Sequence, residues 1–296
     1  MSQAIWRITT AGETRTARGD VTGGPQELLP RSVTVDGLLA ETDGLRSALS
    51  IDGAGPVPDD ARILTPVQNQ AVWASGVTFE RSRAARKEES AGSDVYDLVY
   101  EAKRPELFFK AAGADVRDPG DLVCVRADSS WDVPEPELGL VIAATGAIVG
   151  YTIGNDVSSR SIEGENPLYL PQAKVYEGSC SVGPCLVPVG EAPAWDTLVI
   201  GLSISRAGRE IFRDEVPLSR MRRTPEELRD WLFKGVRLPH GAVLLTGTSI
   251  VPPDEITLEP GDRSTITITG LGRLTNGVEL LDLPVVGESE PVGLIS

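Results

Sequence analysis

The sequence contains almost no histidine: His240 is the only one among 296 residues. A single imidazole excludes metal sites built from two or three histidines, and any Ser-His or Cys-His mechanism would have to use it. His240 lies in the turn-forming stretch LPHGAV, and we interpret it as an exposed loop residue. Other side chains must therefore carry any acid-base or metal chemistry.

Cysteines and long apolar runs are also scarce. Cys124, Cys180 and Cys185 have neither CxxC nor zinc-site spacing, which predicts buried reduced thiols. No apolar run reaches the length of about 18 residues needed to span a membrane, and residues 1–20 lack the hydrophobic segment of a signal peptide. We therefore expect a cytoplasmic protein with no membrane partner.

Positive charge is in deficit. The chain has 28 basic and 43 acidic residues, and its formal net charge is −15. Such an excess repels nucleic-acid phosphates and anionic lipid surfaces. The composition thus excludes nucleic-acid binding as a first hypothesis and favours a small-molecule substrate.

The chain divides near a stretch rich in Gly, Pro and Asp, IDGAGPVPDD at residues 51–60. We predict a small N-terminal domain at residues 1–62 and a larger catalytic domain at residues 63–296. The larger part contains many short apolar runs separated by Gly and Pro, which indicates a β-rich α+β fold with mostly antiparallel strands. One helix is predicted after Thr224, where Thr224, Pro225 and Glu227 have the spacing of a capping box.

Three carboxylates are predicted to converge. Glu135 and Glu137 are two residues apart, so in a strand they point to the same face. The next apolar runs flank Thr145-Gly146, and a hairpin turn centred there, with Ala144 opposite Ala147, places Asp156 opposite Glu135. Oxygen ligands without histidine suit Mg²⁺, with Mn²⁺ or Ca²⁺ as alternatives.

With these segments identified, the sequence resembles the fumarylacetoacetate hydrolase superfamily. The resemblance covers about residues 72–281. It rests on the ExE of Glu135 and Glu137, GNDVSSR at 154–160, Lys174 before an aromatic residue, the GP of Gly183-Pro184, and LLTGTS at 244–249. It implies layered mixed β-sheets or a β-roll, with the two glutamates and Asp156 as ligands of Mg²⁺ or Mn²⁺. It also implies a homodimer or homotetramer.

One departure from the hydrolytic members points to a different reaction. Ser82 stands where those members have the histidine that activates water. A serine hydroxyl is no general base near neutral pH, which argues against hydrolysis. The stretches SRAARKEES, RPELFFKAAG and EGENPLYLPQAK resemble instead a branch that dehydrates 2-keto-3-deoxy sugar acids, such as 2-dehydro-3-deoxy-D-arabinonate.

This resemblance implies a metal-dependent hydro-lyase of pentose catabolism that forms 2,5-dioxopentanoate through a metal-stabilised enolate. Glu106 and Lys174 match the catalytic glutamate and lysine, and which of them is the base stays open. The predicted substrate-binding residues are Ser82, Arg86, Lys174, Thr246 and Thr248. The alternatives are a hydrolase or decarboxylase of acylpyruvates and related diketo acids, and a non-catalytic protein that keeps the fold.

Overall fold

Strands make up most of the structure, a computed structural model that describes residues 2–80 and 95–282. The strands, in chain order, are β1 (Gln3–Thr10), β2 (Glu13–Asp20), β3 (Gly24–Leu28), β4 (Arg62–Leu64), β5 (Ala71–Gly76), β6 (Glu106–Ala111), β7 (Leu122–Val125), β8 (Asp132–Val133), β9 (Pro136–Ile142), β10 (Ile148–Asp156), β11 (Ser158–Ser159), β12 (Cys180–Pro188), β13 (Val199–Arg206), β14 (Arg209–Pro217), β15 (Ala242–Leu245), β16 (Arg263–Ile268) and β17 (Gly272–Leu280). The described helices are α1 (Val35–Leu39), α2 (Gly44–Ala48), α3 (Val95–Glu101), α4 (Arg160–Glu165), α5 (Leu170–Lys174) and α6 (Pro225–Phe233).

The strands form two large sheets and a small one. A ten-stranded sheet has the order β3-β2-β1-β12-β10-β9-β15-β5-β6, with β4 paired to β1. A five-stranded sheet has the order β14-β13-β16-β17-β7, and β8 pairs with β11. Most neighbours are antiparallel, as predicted, but β15 runs parallel to β5 and β17 parallel to β7. The architecture confirms the predicted β-rich α+β class with layered mixed sheets.

The two large sheets pack against each other, and β9 lies at the centre. Leu138 and Leu140 of β9 belong to the same hydrophobic cluster as Leu202 of β13 and Ile266 of β16. On its other face, Val141 packs in a second cluster that includes residues of α1 and α2. A strand covered on both faces needs apolar residues at successive positions, which explains the unbroken run LGLVIA.

The β9–β10 hairpin has the predicted register at its open end, where Glu135 lies opposite Asp156. Asp156 N donates to Glu135 O at 3.0 Å, and the preceding pairs keep the same register. The predicted turn is wrong in detail, because Ala143 rather than Ala144 faces Ala147. The turn is thus one residue longer than predicted, and a β-bulge between Ile148 and Gly150 restores the register.

The N-terminal strands extend the ten-stranded sheet. Ile5 of β1 pairs with Leu186 of β12. β4, which pairs with β1, lies across the predicted boundary between residues 62 and 63. The division into two domains stays a prediction.

Several local predictions are confirmed. The Thr224 side chain accepts a hydrogen bond from Glu227 N at the start of α6. Cys124, Cys180 and Cys185 are buried and free of disulfides. His240 is exposed. In the described parts of the chain, no helix has the length and apolar character needed to cross a membrane.

Candidate metal and catalytic site

Glu135, Glu137 and Asp156 come together at the end of the β9–β10 hairpin. Each offers a carboxylate oxygen, and these oxygens lie within 4.8 Å of one another. The three residues are 3%, 1% and 1% exposed. Three carboxylates so close together and shielded from water require compensating positive charge.

One oxygen of each carboxylate is held by a group from another segment. Arg160 Nη2, at the start of α4, lies 2.9 Å from Glu135 Oε1. Gly247 N, after β15, donates to Glu137 Oε2 at 2.6 Å. Lys110 Nζ of β6 forms an ion pair with Asp156 Oδ1 at 2.5 Å. Each carboxylate thus has a fixed orientation and a second oxygen directed elsewhere.

Two of these second oxygens contact Lys174, the last residue of α5. Its Nζ donates to Glu135 Oε2 at 2.7 Å, to Asp156 Oδ2 at 3.2 Å and to Ser158 Oγ at 2.5 Å. Lys174 is 2% exposed. The ammonium therefore partly neutralises the carboxylates of two predicted metal ligands.

The surroundings of Glu137 disfavour its ionised form. Burial raises its pKa well above the usual range, and the nearby charges of Asp156 and Glu135 raise it further. Lys174 and the Gly247 N–H oppose this increase only in part. A bound divalent cation would stabilise the ionised form of Glu137.

The geometry and chemistry of the triad fit a hard divalent cation. Oxygens bound to one Mg²⁺ or Ca²⁺ ion at about 2.0–2.6 Å can lie no more than about 4–5 Å apart, and the three carboxylates meet this limit. The ligand set contains only oxygen, which suits Mg²⁺ better than zinc. Glu135, Glu137 and Asp156 would hold the ion.

A cavity opens next to the triad and contains both predicted catalytic residues. Its lining includes Glu106, Phe108, Glu135, Glu163, Leu170, Lys174, Gly247 and Thr248. Glu106 begins β6 and pairs with Gly76 of β5. A Cβ on Gly76 would collide with Glu106 Oε2, so the glycine allows the carboxylate to lie across β5. The fold thus places an acid-base group and an amine beside the candidate metal site.

The predicted substrate-binding residues have different positions. Thr248 lines the cavity, and its hydroxyl accepts a hydrogen bond from Ile250 N. Thr246 is buried beside it, with its N–H bonded to Leu138 O and its carbonyl accepting from Thr78 Oγ1. Ser82 and Arg86 lie outside the described residues. The roles of all four residues in substrate binding stay predictions.

Sequence reasoning missed three buried charged residues of the site. Arg160 had a signal, since it ends the GNDVSSR motif, and Glu163 follows it by three residues on the same helix. Lys110 had none. It is the extra residue of a β-bulge in β6, between the pairs Val72–Ala111 and Trp73–Phe109, and the bulge directs its side chain toward Asp156.

Known relatives support this description. The chain matches the fumarylacetoacetate (FAA) hydrolase C-terminal family over residues 76–279. It is 48% identical over 244 residues to a protein of Haloferax volcanii named "Probable 2-keto-3-deoxyxylonate dehydratase", which covers 81% of this chain and 84% of that relative. It is 42% identical over 225 residues to the 2-dehydro-3-deoxy-D-arabinonate dehydratase of Saccharolobus solfataricus, with coverage of 75% and 76%.

A solved structure shows the same architecture. It is a 2-keto-3-deoxy-D-arabinonate dehydratase in complex with magnesium and 2,5-dioxopentanoate, with a TM-score of 0.81 and 33% identity, and the match covers 94% of this chain and 99% of that one. The layered sheets of this chain thus match a fold that has been solved with magnesium and 2,5-dioxopentanoate bound. This chain belongs to the fumarylacetoacetate hydrolase family.

Proposed function

We propose that this protein is a Mg²⁺-dependent hydro-lyase that converts a 2-keto-3-deoxy pentonic acid, such as 2-dehydro-3-deoxy-D-arabinonate, into 2,5-dioxopentanoate. The observation that carries the proposal is the cavity in which Glu106 and Lys174 stand next to the buried triad. The relatives named as dehydratases of the xylonate- and arabinonate-derived acids support the same reaction. A five-carbon 2-keto-3-deoxy acid has only one stereocentre, at C4. The acids derived from xylonate and from arabinonate are therefore the same compound when both sugars belong to the D series.

The reaction removes one molecule of water. A proton leaves C3, which is acidic because it is next to the ketone, and the C4 hydroxyl departs with a proton as water. A proton then moves from C5 to C3, which gives an enol with a C4–C5 double bond. Transfer of the enol O–H proton to C4 forms the C5 aldehyde, so no oxidant is needed. When bound, the cation supplies positive charge that polarises a 2-keto acid and makes C3 more acidic.

The chain's own residues supply the proton transfers. Glu106 is within the cavity and is our candidate for the group that takes the C3 proton or protonates the departing hydroxyl. Lys174 is the second candidate, and its ammonium also binds the anionic substrate. Thr248 offers a polar contact on the same wall, and Arg86 and Ser82 are proposed to contact the substrate as well.

Hydrolysis or decarboxylation of an acylpyruvate is the alternative in this family. Hydrolysis needs a base that activates water, and no histidine lines the cavity among the described residues. The chain's single histidine is exposed at position 240. These observations argue against hydrolysis but not against decarboxylation, and the names of the relatives favour dehydration over both.

Two further properties are part of the proposal. The sequence resemblance implies that the protein works as a homodimer or homotetramer, and its composition suits the cytoplasm. Size-exclusion chromatography with light scattering measures the first, and cell fractionation measures the second.

The decisive experiment measures carbonyl product formed from 2-keto-3-deoxyarabinonate with and without EDTA. We expect turnover that EDTA abolishes and Mg²⁺ restores. Glu106→Gln should abolish turnover and keep Mg²⁺ binding, whereas Glu101→Gln, at an exposed position on α3, should keep both. Turnover that is independent of metal, or cleavage of an acylpyruvate without dehydration, contradicts the proposal.

A further inference from the structure

Lys174 contacts two oxygens of the carboxylate triad. Arg160, Gly247 and Lys110 each contact one oxygen of a different carboxylate, which leaves Glu135 Oε2, Glu137 Oε1 and Asp156 Oδ2 as the second oxygens. Lys174 Nζ lies 2.7 Å from Glu135 Oε2 and 3.2 Å from Asp156 Oδ2. The ammonium therefore contacts two of the three oxygens that face away from the fixed donors.

We infer that Lys174 and the divalent cation compete for Glu135 Oε2 and Asp156 Oδ2, so that cation binding moves the ammonium off the triad toward the substrate cavity. This inference rests on the proposed function for the identity of the cation. An ammonium and a dication at contact distance from the same two carboxylate oxygens repel each other strongly, because water is excluded from the site. The dication has the higher charge and gains ligands from all three residues.

The surroundings of Lys174 offer a place for the displaced ammonium. Ser158 Oγ accepts a hydrogen bond from Nζ and is not one of the carboxylate ligands. The Phe108 ring, whose centre lies 5.8 Å from Nζ, also lines the cavity and provides an aromatic face for a cation. The consequence is that Lys174 becomes available to the substrate only when the metal is bound.

Lys110 provides a matched comparison. It is also a buried lysine, and it contacts Asp156, but through the opposite oxygen, Oδ1. Its Nζ is further held by the backbone carbonyls of Val157 and Lys174. Removing either lysine changes the net charge by the same amount, whereas only removal of Lys174 exposes oxygens that the cation uses.

The test is isothermal titration of Mg²⁺ into the full-length protein after EDTA treatment and dialysis, without substrate. We expect Lys174→Met to bind Mg²⁺ at least about 10-fold more tightly than the unaltered protein. Lys110→Met should bind it about 10-fold more weakly, because Asp156 loses its orienting partner. Lys234→Met, at an exposed position, should leave the affinity unchanged.

Two outcomes overturn the inference. Unchanged or weaker Mg²⁺ binding by Lys174→Met shows that the lysine does not compete. Equal tightening in both buried-lysine variants shows a general charge effect. This titration needs no turnover, so its result does not depend on the proposed substrate. If the protein is an active dehydratase but Lys174→Met does not bind Mg²⁺ more tightly, the competition is refuted and the proposed function is not.

A second measurement covers the case in which Lys174→Met does not fold. The chain has five lysines, at positions 87, 103, 110, 174 and 234, so ¹⁵N-labelled side-chain amines give few NMR signals. Substituting the other four lysines one at a time assigns the Lys174 signal by exclusion. That signal should shift as Mg²⁺ is added and follow the binding curve, and a Lys174 signal that does not move contradicts the inference.

Discussion

Gly247→Ala should weaken both the metal site and the fold. Gly247 has φ = +86°, a conformation that alanine adopts only with strain. A Cβ there would also collide with Thr78 Oγ1 and lie 2.9 Å from the carbonyl oxygen of Ser75. The chain must shift away from β5, and the Gly247 N–H then leaves Glu137 Oε2.

The size of the effect follows from these contacts. The left-handed conformation costs alanine about 1–2 kcal/mol of folding free energy, and the crowding adds about 1–3 kcal/mol. Loss of a hydrogen bond to the Glu137 carboxylate is equivalent to about 1.5–3 kcal/mol, which corresponds to a decrease in Mg²⁺ affinity of about 10- to 100-fold. The pKa of Glu137, already raised by burial, would rise further.

Urea unfolding and Mg²⁺ titration calorimetry measure the two effects separately. Gly208→Ala is the matched control, because Gly208 has φ = +77° in the β13–β14 turn and a Cβ there meets no atom within 4 Å. The control should lose about 1–2 kcal/mol of stability and keep its Mg²⁺ affinity. If Gly247→Ala binds Mg²⁺ as tightly as the control does, the Gly247 amide does not orient Glu137.

Three further predictions concern buried carboxylates. Burial raises the pKa of Asp132 from 3.8 to about 6, so its native state favours the protonated form and loses stability as pH rises through this window. Asp132→Asn should therefore raise the free energy of unfolding by about 3 kcal/mol near pH 8 and by about half as much near pH 5, measured by urea unfolding; an equal gain at both pH values contradicts this assignment. Mg²⁺ affinity should fall as pH decreases, because the raised pKa of Glu137 makes a proton compete with the metal, and calorimetry in buffers of different ionisation enthalpy should detect proton release. Glu163→Gln should raise KM for the sugar acid without changing Mg²⁺ affinity, whereas Glu165→Gln, exposed on the same helix, should change neither.

Much of the candidate site could be predicted because its signals are local. The spacing of Glu135 and Glu137 fixes their common face once the segment is a strand, and one hairpin brings in Asp156. The register at Glu135 and Asp156 is as predicted although the turn is one residue longer, because the bulge between Ile148 and Gly150 takes up the extra residue. Lys174 was predicted as a catalytic residue because the stretch EGENPLYLPQAK resembles the matching stretch of the family.

Other parts of the site depend on contacts between distant segments. Lys110 is 46 residues from Asp156, and a bulge in β6 directs it there. Gly247 reaches Glu137 because β15 pairs with β9 and runs parallel to β5. No periodicity in the sequence specifies which strands become neighbours or where a bulge forms, because long-range pairing depends on the packing of the whole core.

The sequence alone therefore determined the chemical character of the site, with oxygen ligands, no histidine and a hard cation, and the family resemblance added the 2-keto acid as substrate. The tertiary structure decided which oxygen of each carboxylate is held and which is directed to the shared centre. That division matters because Lys174 and the cation need the same oxygens. The cationic and N–H donors that hold these oxygens come from four segments: β6, α4, α5 and the residues after β15. Only folding brings these segments together around the three carboxylates.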